Sequence, residues 1–143
     1  MTPLSAHFSL EEALVSQTAS RLGIDNTPSK EIIQNMKDAA LQLEFVRMRL
    51  NSNAIHINSW YRCPELNKAV GSKPTSDHLT GYAIDFTCPS YGTPNELVRA
   101  IANSTLKFSQ LILEFNSWTH ISFKGQHRQI LVIDKDGTRP WVA

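Results

Sequence analysis

Ser76-Asp77-His78-Leu79-Thr80-Gly81-Tyr82-Ala83-Ile84-Asp85 sets an imidazole and a carboxylate seven residues apart, with a glycine between them. Fully extended, seven residues span roughly 23 Å, too far for two ligands of one ion. If His78 and Asp85 share a metal, the chain must fold back between them. Gly81 supplies the permissive backbone for that turn. From Tyr82 to Thr87 the pattern alternates, with Tyr82, Ile84 and Phe86 on one face and Ala83, Asp85 and Thr87 on the other. His78 is therefore expected in a loop and Asp85 on a strand.

Glu114-Phe115-Asn116-Ser117-Trp118-Thr119-His120 carries a second carboxylate and imidazole, six residues apart. With Asn116-Ser117-Trp118 as a three-residue hairpin loop, Phe115 faces Thr119 and Glu114 lies opposite His120. Leu111, Leu113, Phe115, Ile121 and Phe123 then form an apolar core face. Ile112, Glu114, His120 and Ser122 form a site face, and cross-strand neighbours there hold their Cβ atoms about 4.5–5.5 Å apart. Taken singly, each residue has a structural explanation: a hydrogen-bonded histidine, a surface carboxylate paired with Arg99 or Lys107, an aspartate in a turn. Together, His78, Asp85 and His120 suit one Zn²⁺ ion with a position left for water, and Glu114 suits a general base.

The remaining sequence supplies a frame for these two stretches. Ser9-Leu-Glu-Glu12 is a capping box that opens a helix of about a dozen residues, fading near Gly23. Pro28 fits the first position of a helix over about Ser29–Leu50, whose stripe of Ile32, Met36, Ala40, Leu43, Val46 and Leu50 predicts burial. Ile55–Ser59 alternates as a strand, and Pro64–Val70 predicts a short helix ended by Gly71. Gly71 to Gly81 is an irregular loop. Thr93-Pro-Asn-Glu96 caps a helix to about Ser104. Strands follow near 110–115, 119–123 and 129–134, with Asp136-Gly137 as a turn. Helices first and strands later predict one α+β domain over residues 1–143, mainly antiparallel, with the N-terminal helices on one face.

The bulk properties narrow the function. The chain has 143 residues, 41% hydrophobic and 19% charged, enough for one real core. Net charge is +1 and the basic residues are scattered, which argues against nucleic acid as a partner. No segment is apolar for long enough to span a membrane, and the start Met1-Thr-Pro-Leu-Ser-Ala-His7 does not read as a secretory signal. Cys63 and Cys88 cannot build a disulfide framework and are expected as reduced, partly buried thiols.

Ser76-x-His78-x-x-Gly81-x-Ala83-x-Asp85 followed by Trp118-x-His120 resembles the zinc D-Ala-D-Ala carboxypeptidase family, which includes vancomycin-resistance D,D-peptidases and phage L-alanyl-D-glutamate endolysins. Its fold is shared by the hedgehog signalling domain. Ile57-Asn-Ser59-Trp-Tyr61-Arg62-Cys-Pro64-Glu-Leu66-Asn67 resembles the segment before the first ligand. His7–Glu12 and Asn26-Thr27-Pro28 resemble the start of small phage and prophage members. The resemblance implies zinc on His78, Asp85 and His120, and Glu114 as catalytic base. In several relatives the base stands three residues before the last histidine, where this chain has Ser117. Arg62 would stabilise substrate, Ser76 would hydrogen-bond near substrate or orient a ligand, and Trp118 would wall the cleft. The implied substrate is the stem peptide of peptidoglycan, cut by a monomer made in the bacterial cytoplasm. A phage or prophage gene and a separate route to the wall fit that substrate. A non-catalytic zinc-bearing binding or virion structural module of the same fold is the alternative.

Overall fold

The computed structural model describes residues 1–143. Ser9 accepts a hydrogen bond from the Glu12 amide while the Glu12 carboxylate accepts from the Ser9 amide, closing the expected capping box. The helix it starts, α1 (Leu10–Leu14), ends early because Val15 is extended. Ser16 then caps a new helix, α2 (Gln17–Leu22), by accepting from the Ala19 amide. One expected helix is thus two, and Gly23 closes the second in the left-handed region at φ 66°. Ser29, not Pro28, supports the start of α3 (Lys30–Arg49), accepting from the Ile32 amide.

Most of the apolar stripe of α3 is buried as its spacing predicts, at Met36, Ala40, Leu43 and Val46 and at Leu50 just beyond the helix; Ala39 joins it, while Ile32 at the start is only partly buried. A side chain of this size stabilises the fold by about 1.5–3 kcal/mol when fully buried. These residues join Trp60, Ile84, Phe86, Leu111, Leu113 and Ile121 in one core.

Six strands make one sheet: β1 (His56–Ser59), β2 (Ala83–Thr87), β3 (Gln110–Glu114), β4 (Trp118–Ser122), β5 (Gln129–Asp134) and β6 (Gly137–Pro140). Their order is β1-β2-β4-β3-β5-β6. All neighbours are antiparallel except β3 and β5, which run parallel. The α+β class and the mainly antiparallel sheet agree with the sequence. Strand β6 was not foreseen, because its Gly137-Thr-Arg-Pro140 has neither alternation nor apolar residues, and every residue is exposed. Between β2 and β3 lies α5 (Pro94–Ala102), opened by the Thr93–Glu96 capping box and ending short of Ser104. It packs on β3 and β4.

The sheet has two distinct faces. Ile84, Phe86, Leu111, Leu113 and Ile121 point into the core with α3 and α5. Asp85 pairs with His120, and His120 with Ile112, on the other face. That face lies beside a 3₁₀ turn (Asp77–Thr80), which gives order to part of the expected loop, and the expected short helix forms as α4 (Pro64–Ala69), packed on that turn.

The β3–β4 register differs from the expected one. The three-residue loop is Phe115-Asn116-Ser117, so Glu114 pairs with Trp118 and Ile112 with His120. The register shifts by two residues, which preserves every face, because side chains alternate with a period of two. Glu114 is therefore diagonal to His120 rather than opposite. Phe115 moves from the core face to the turn, where it is half exposed. The cause is local: Phe115 and Asn116 both take φ 52°, and the Ser117 amide closes the turn on the Glu114 carbonyl at 2.9 Å.

Candidate metal centre and active site

His78 reaches the site through a turn whose every support has a source. Ser76 accepts from the His78 amide at 3.2 Å and starts the 3₁₀ turn. Gly81 ends it at φ 84°. A Cβ on Gly81 would lie 2.7 Å from Met36 Cγ and 3.2 Å from the Ile32 carbonyl oxygen, so the turn sits directly on α3. The segment before α4 threads under the turn: the Arg62 amide donates to the His78 carbonyl, and Trp60 Nε1 donates to the Gly81 carbonyl at 2.8 Å.

The Trp60 carbonyl also settles which ring nitrogen of His78 carries the proton. It lies 2.6 Å from Nδ1, and a carbonyl can only accept. Nδ1 therefore holds the hydrogen and Nε2 is left with its lone pair, facing Asp85 Oδ1 at 3.3 Å. From β4, His120 Nδ1 lies 2.8 Å from the same oxygen. One ligand atom from each of His78, Asp85 and His120 can be chosen so that all lie within 4.8 Å of one another. The three side chains are nearly or fully enclosed.

The electrostatics follow from this crowding. Burial would push Asp85 up, but the charges and hydrogen bonds of His78 and His120 hold it well below the usual carboxylate range. Burial holds His78 below the ordinary imidazole value against the pull of Asp85. Burial also opposes charging of His120, yet the hydrogen bond and charge of Asp85 outweigh it and raise that imidazole. Two imidazole nitrogens converging on one buried carboxylate oxygen form a donor set that fits a divalent cation of the zinc type.

Glu114 Oε1 stands 3.7 Å from His120 Nδ1. Burial, with the neighbouring Asp85 charge, raises its carboxyl above the ordinary value. Arg62 completes the charged group: burial pulls its guanidinium down, while Asp85 and Glu114 favour its charge. Its Nε is buried without a hydrogen-bond partner, as is Trp118 Nε1. Of the expected site residues, His78, Asp85, His120, Glu114 and Arg62 come together in this cluster, Trp118 pairs with Glu114 across the β3–β4 ladder, and Ser76 acts on the turn.

Three contributors escaped the sequence reading. Trp60 works through its carbonyl, which no side-chain pattern reports. Asn26 clamps the threading segment, donating to the Tyr61 carbonyl at 3.0 Å and accepting from the Cys63 amide at 2.8 Å. Asp77 accepts from the buried Ser122 hydroxyl at 2.7 Å, tying the turn of His78 to the strand of His120. Asn26 and Asp77 both lie in quoted motifs, yet only the fold reveals what they bond. Cys63 and Cys88 are both free; Cys88 is fully buried in the core, and Cys63 accepts weakly from the Leu66 amide. No helix is long and apolar enough to cross a membrane. An open groove of about 950 Å³ is lined by none of the cluster residues and lies toward β5 and β6.

A search of curated proteins returns no match. The family model for Peptidase M15 matches residues 6–122, a span that contains the whole cluster with Arg62, Trp60 and Asn26. With its α+β fold and its His-Asp-His group, the chain belongs to Peptidase M15, the zinc D-Ala-D-Ala carboxypeptidase-like family.

Proposed function

We propose that the chain is a zinc peptidase that hydrolyses stem peptides of peptidoglycan, as a D-Ala-D-Ala carboxypeptidase or an endolysin-type endopeptidase. The observation that carries this reading is the convergence of His78 Nε2 and His120 Nδ1 on Asp85, with Glu114 beside them. His78, Asp85 and His120 would hold the ion, which when bound acidifies water and polarises a scissile carbonyl.

The chain's own groups have separate tasks. Trp60 keeps the proton of His78 on Nδ1, away from the ligand side. Glu114, less acidic than a free glutamate, takes a proton from water and returns it to the leaving amine. Arg62 has a buried Nε to give, and its fork suits a substrate carboxylate or the charge that develops on the carbonyl oxygen. Trp118, directly across from Glu114, walls the cleft on that side. Residues 1–143 act as one catalytic domain, and a phage or prophage origin is consistent with a wall substrate.

The test is product analysis by mass spectrometry on defined muropeptides. Zinc-loaded protein is expected to release D-Ala or to split an internal bond. Chelation and His120→Ala are each expected to abolish it. Cleavage by verified metal-free protein contradicts the proposal.

A further inference from the structure

Arg62 brings its charge to the site without a partner. Asp85 and Glu114 are near enough for their charges to act on the guanidinium, yet it forms an ion pair with neither. Its Nε is buried and unbonded. An arginine left unpaired beside two carboxylates keeps its fork free for a ligand. No side chain of the site holds that fork in place, so its aim depends on the main chain it grows from and on the packing of its half-buried stem.

The main chain there is gripped on both sides. The peptide unit before Arg62 is held at each end: its amide donates to the His78 carbonyl at 3.2 Å, and the Tyr61 carbonyl accepts from Asn26 Nδ2 at 3.0 Å. The unit after Arg62 is held through the Cys63 amide, which donates to Asn26 Oδ1 at 2.8 Å. Peptide units are planar, so fixing the planes on either side fixes φ and ψ of Arg62 and with them the direction of its Cα–Cβ bond. One carboxamide thus brackets a single residue, and only a side chain with a donor and an acceptor side by side can do so.

The bracket is itself rigid. Gly23 closes α2 and Ser29 caps α3, so the loop between them is anchored at both ends. Within it Asp25 Oδ1 accepts from the Thr27 amide at 3.0 Å and from the Thr27 hydroxyl at 2.6 Å, a local turn that leaves Asn26 between them. Asn26 is buried and spends its own carboxamide on neither neighbour.

We infer that Asn26 is a positioning residue for substrate: it aims the Arg62 guanidinium into the cleft through the two peptide planes and acts on substrate only through Arg62. This rests on the peptidase reading above. The metal ligand next to it has separate supports, since His78 is oriented by the Trp60 carbonyl and its turn is bounded by Ser76 and Gly81. Losing the bracket therefore misaims the arginine and leaves the metal set in place.

A double-mutant cycle on the full, zinc-loaded chain tests the inference, with wild type, Asn26→Ala, Arg62→Ala and the double variant. The probe is a stem tetrapeptide, which ends in a free carboxylate, titrated calorimetrically; kcat and KM on a muropeptide are measured alongside. Asn26→Ala is expected to weaken tetrapeptide binding about tenfold when Arg62 is present and less than about twofold when it is not. Zinc Kd is expected to stay within about threefold of wild type in all four proteins. Asn26→Asp keeps the volume and the acceptor for the Cys63 amide but loses the donor to the Tyr61 carbonyl, and it carries the same cycle in place of an alanine variant that does not fold. Equal losses in both backgrounds, no loss in either, a zinc Kd that weakens in step with peptide affinity, or a wild type that does not bind the tetrapeptide overturns the inference. The binding arm needs no cleavage: coupled losses without turnover sink the peptidase reading and spare the positioning role, and turnover with additive losses does the reverse.

Discussion

At Gly81 two independent constraints meet. Its φ of 84° strains any residue with a Cβ, and that Cβ would stand 2.7 Å from Met36 Cγ with the Ile32 backbone oxygen close behind. Gly81→Ala is therefore expected to cost about 1–3 kcal/mol of stability, read as a lower Tm. It is also expected to weaken zinc binding, since the turn carries His78. Asn26 permits a second residue-scale prediction. Buried, and bonded to both the Tyr61 carbonyl and the Cys63 amide, it holds the strand of chain whose Trp60 carbonyl orients His78. Asn26→Ala leaves two backbone groups unpaired and is expected to cost about 1–3 kcal/mol in denaturant titration. The sequence made the role of Gly81 legible because a metal site needs a reversal between His78 and Asp85. It could not disclose Asn26, because the partners are main-chain atoms 35 and 37 residues away.

Elements with strong local signals were legible: two capping boxes, the apolar stripe of α3, and the alternating β2. The hairpin was not fully so. Alternation assigns faces but is blind to a shift of two, and the turn that selects the register places a phenylalanine where asparagine or glycine is favoured. Strand β6 had no local signal and exists through its pairing with β5. The N-terminal segment gives a pH prediction at this scale. Glu44 on α3 accepts from the Ser5 hydroxyl and the His7 amide, and pairs with His7 Nδ1. Burial pushes its carboxyl up, but these bonds together hold it below the ordinary 4.5. A depressed carboxyl contributes stability that is present above its unfolded value and lost as pH falls through its folded value. Glu44→Gln is thus expected to lower Tm at pH 7, and the two Tm curves should converge as pH drops below 4.5.

In the whole molecule, the metal centre joins elements that are remote in sequence. His78 comes from the 3₁₀ turn, Asp85 from β2 and His120 from β4, with Trp60 and Arg62 from the segment before α4. An ion bound across them stabilises only the folded arrangement, by about 2.7 kcal/mol when free zinc is 100 times its Kd. Zinc added to stripped protein is expected to raise Tm, and His120→Ala is expected to remove most of that rise. The proposed base is separable from the proposed ligands, because Glu114 stands 3.7 Å from His120 and outside the His-Asp-His set. Glu114→Gln keeps size and position but cannot accept the proton. The most direct test measures zinc content and muropeptide turnover on the same samples of wild type and Glu114→Gln. The account predicts one zinc per chain in both, with turnover in the variant reduced by about 10²–10⁴. Full turnover in Glu114→Gln, or a wild-type chain that cleaves without bound metal, would contradict it.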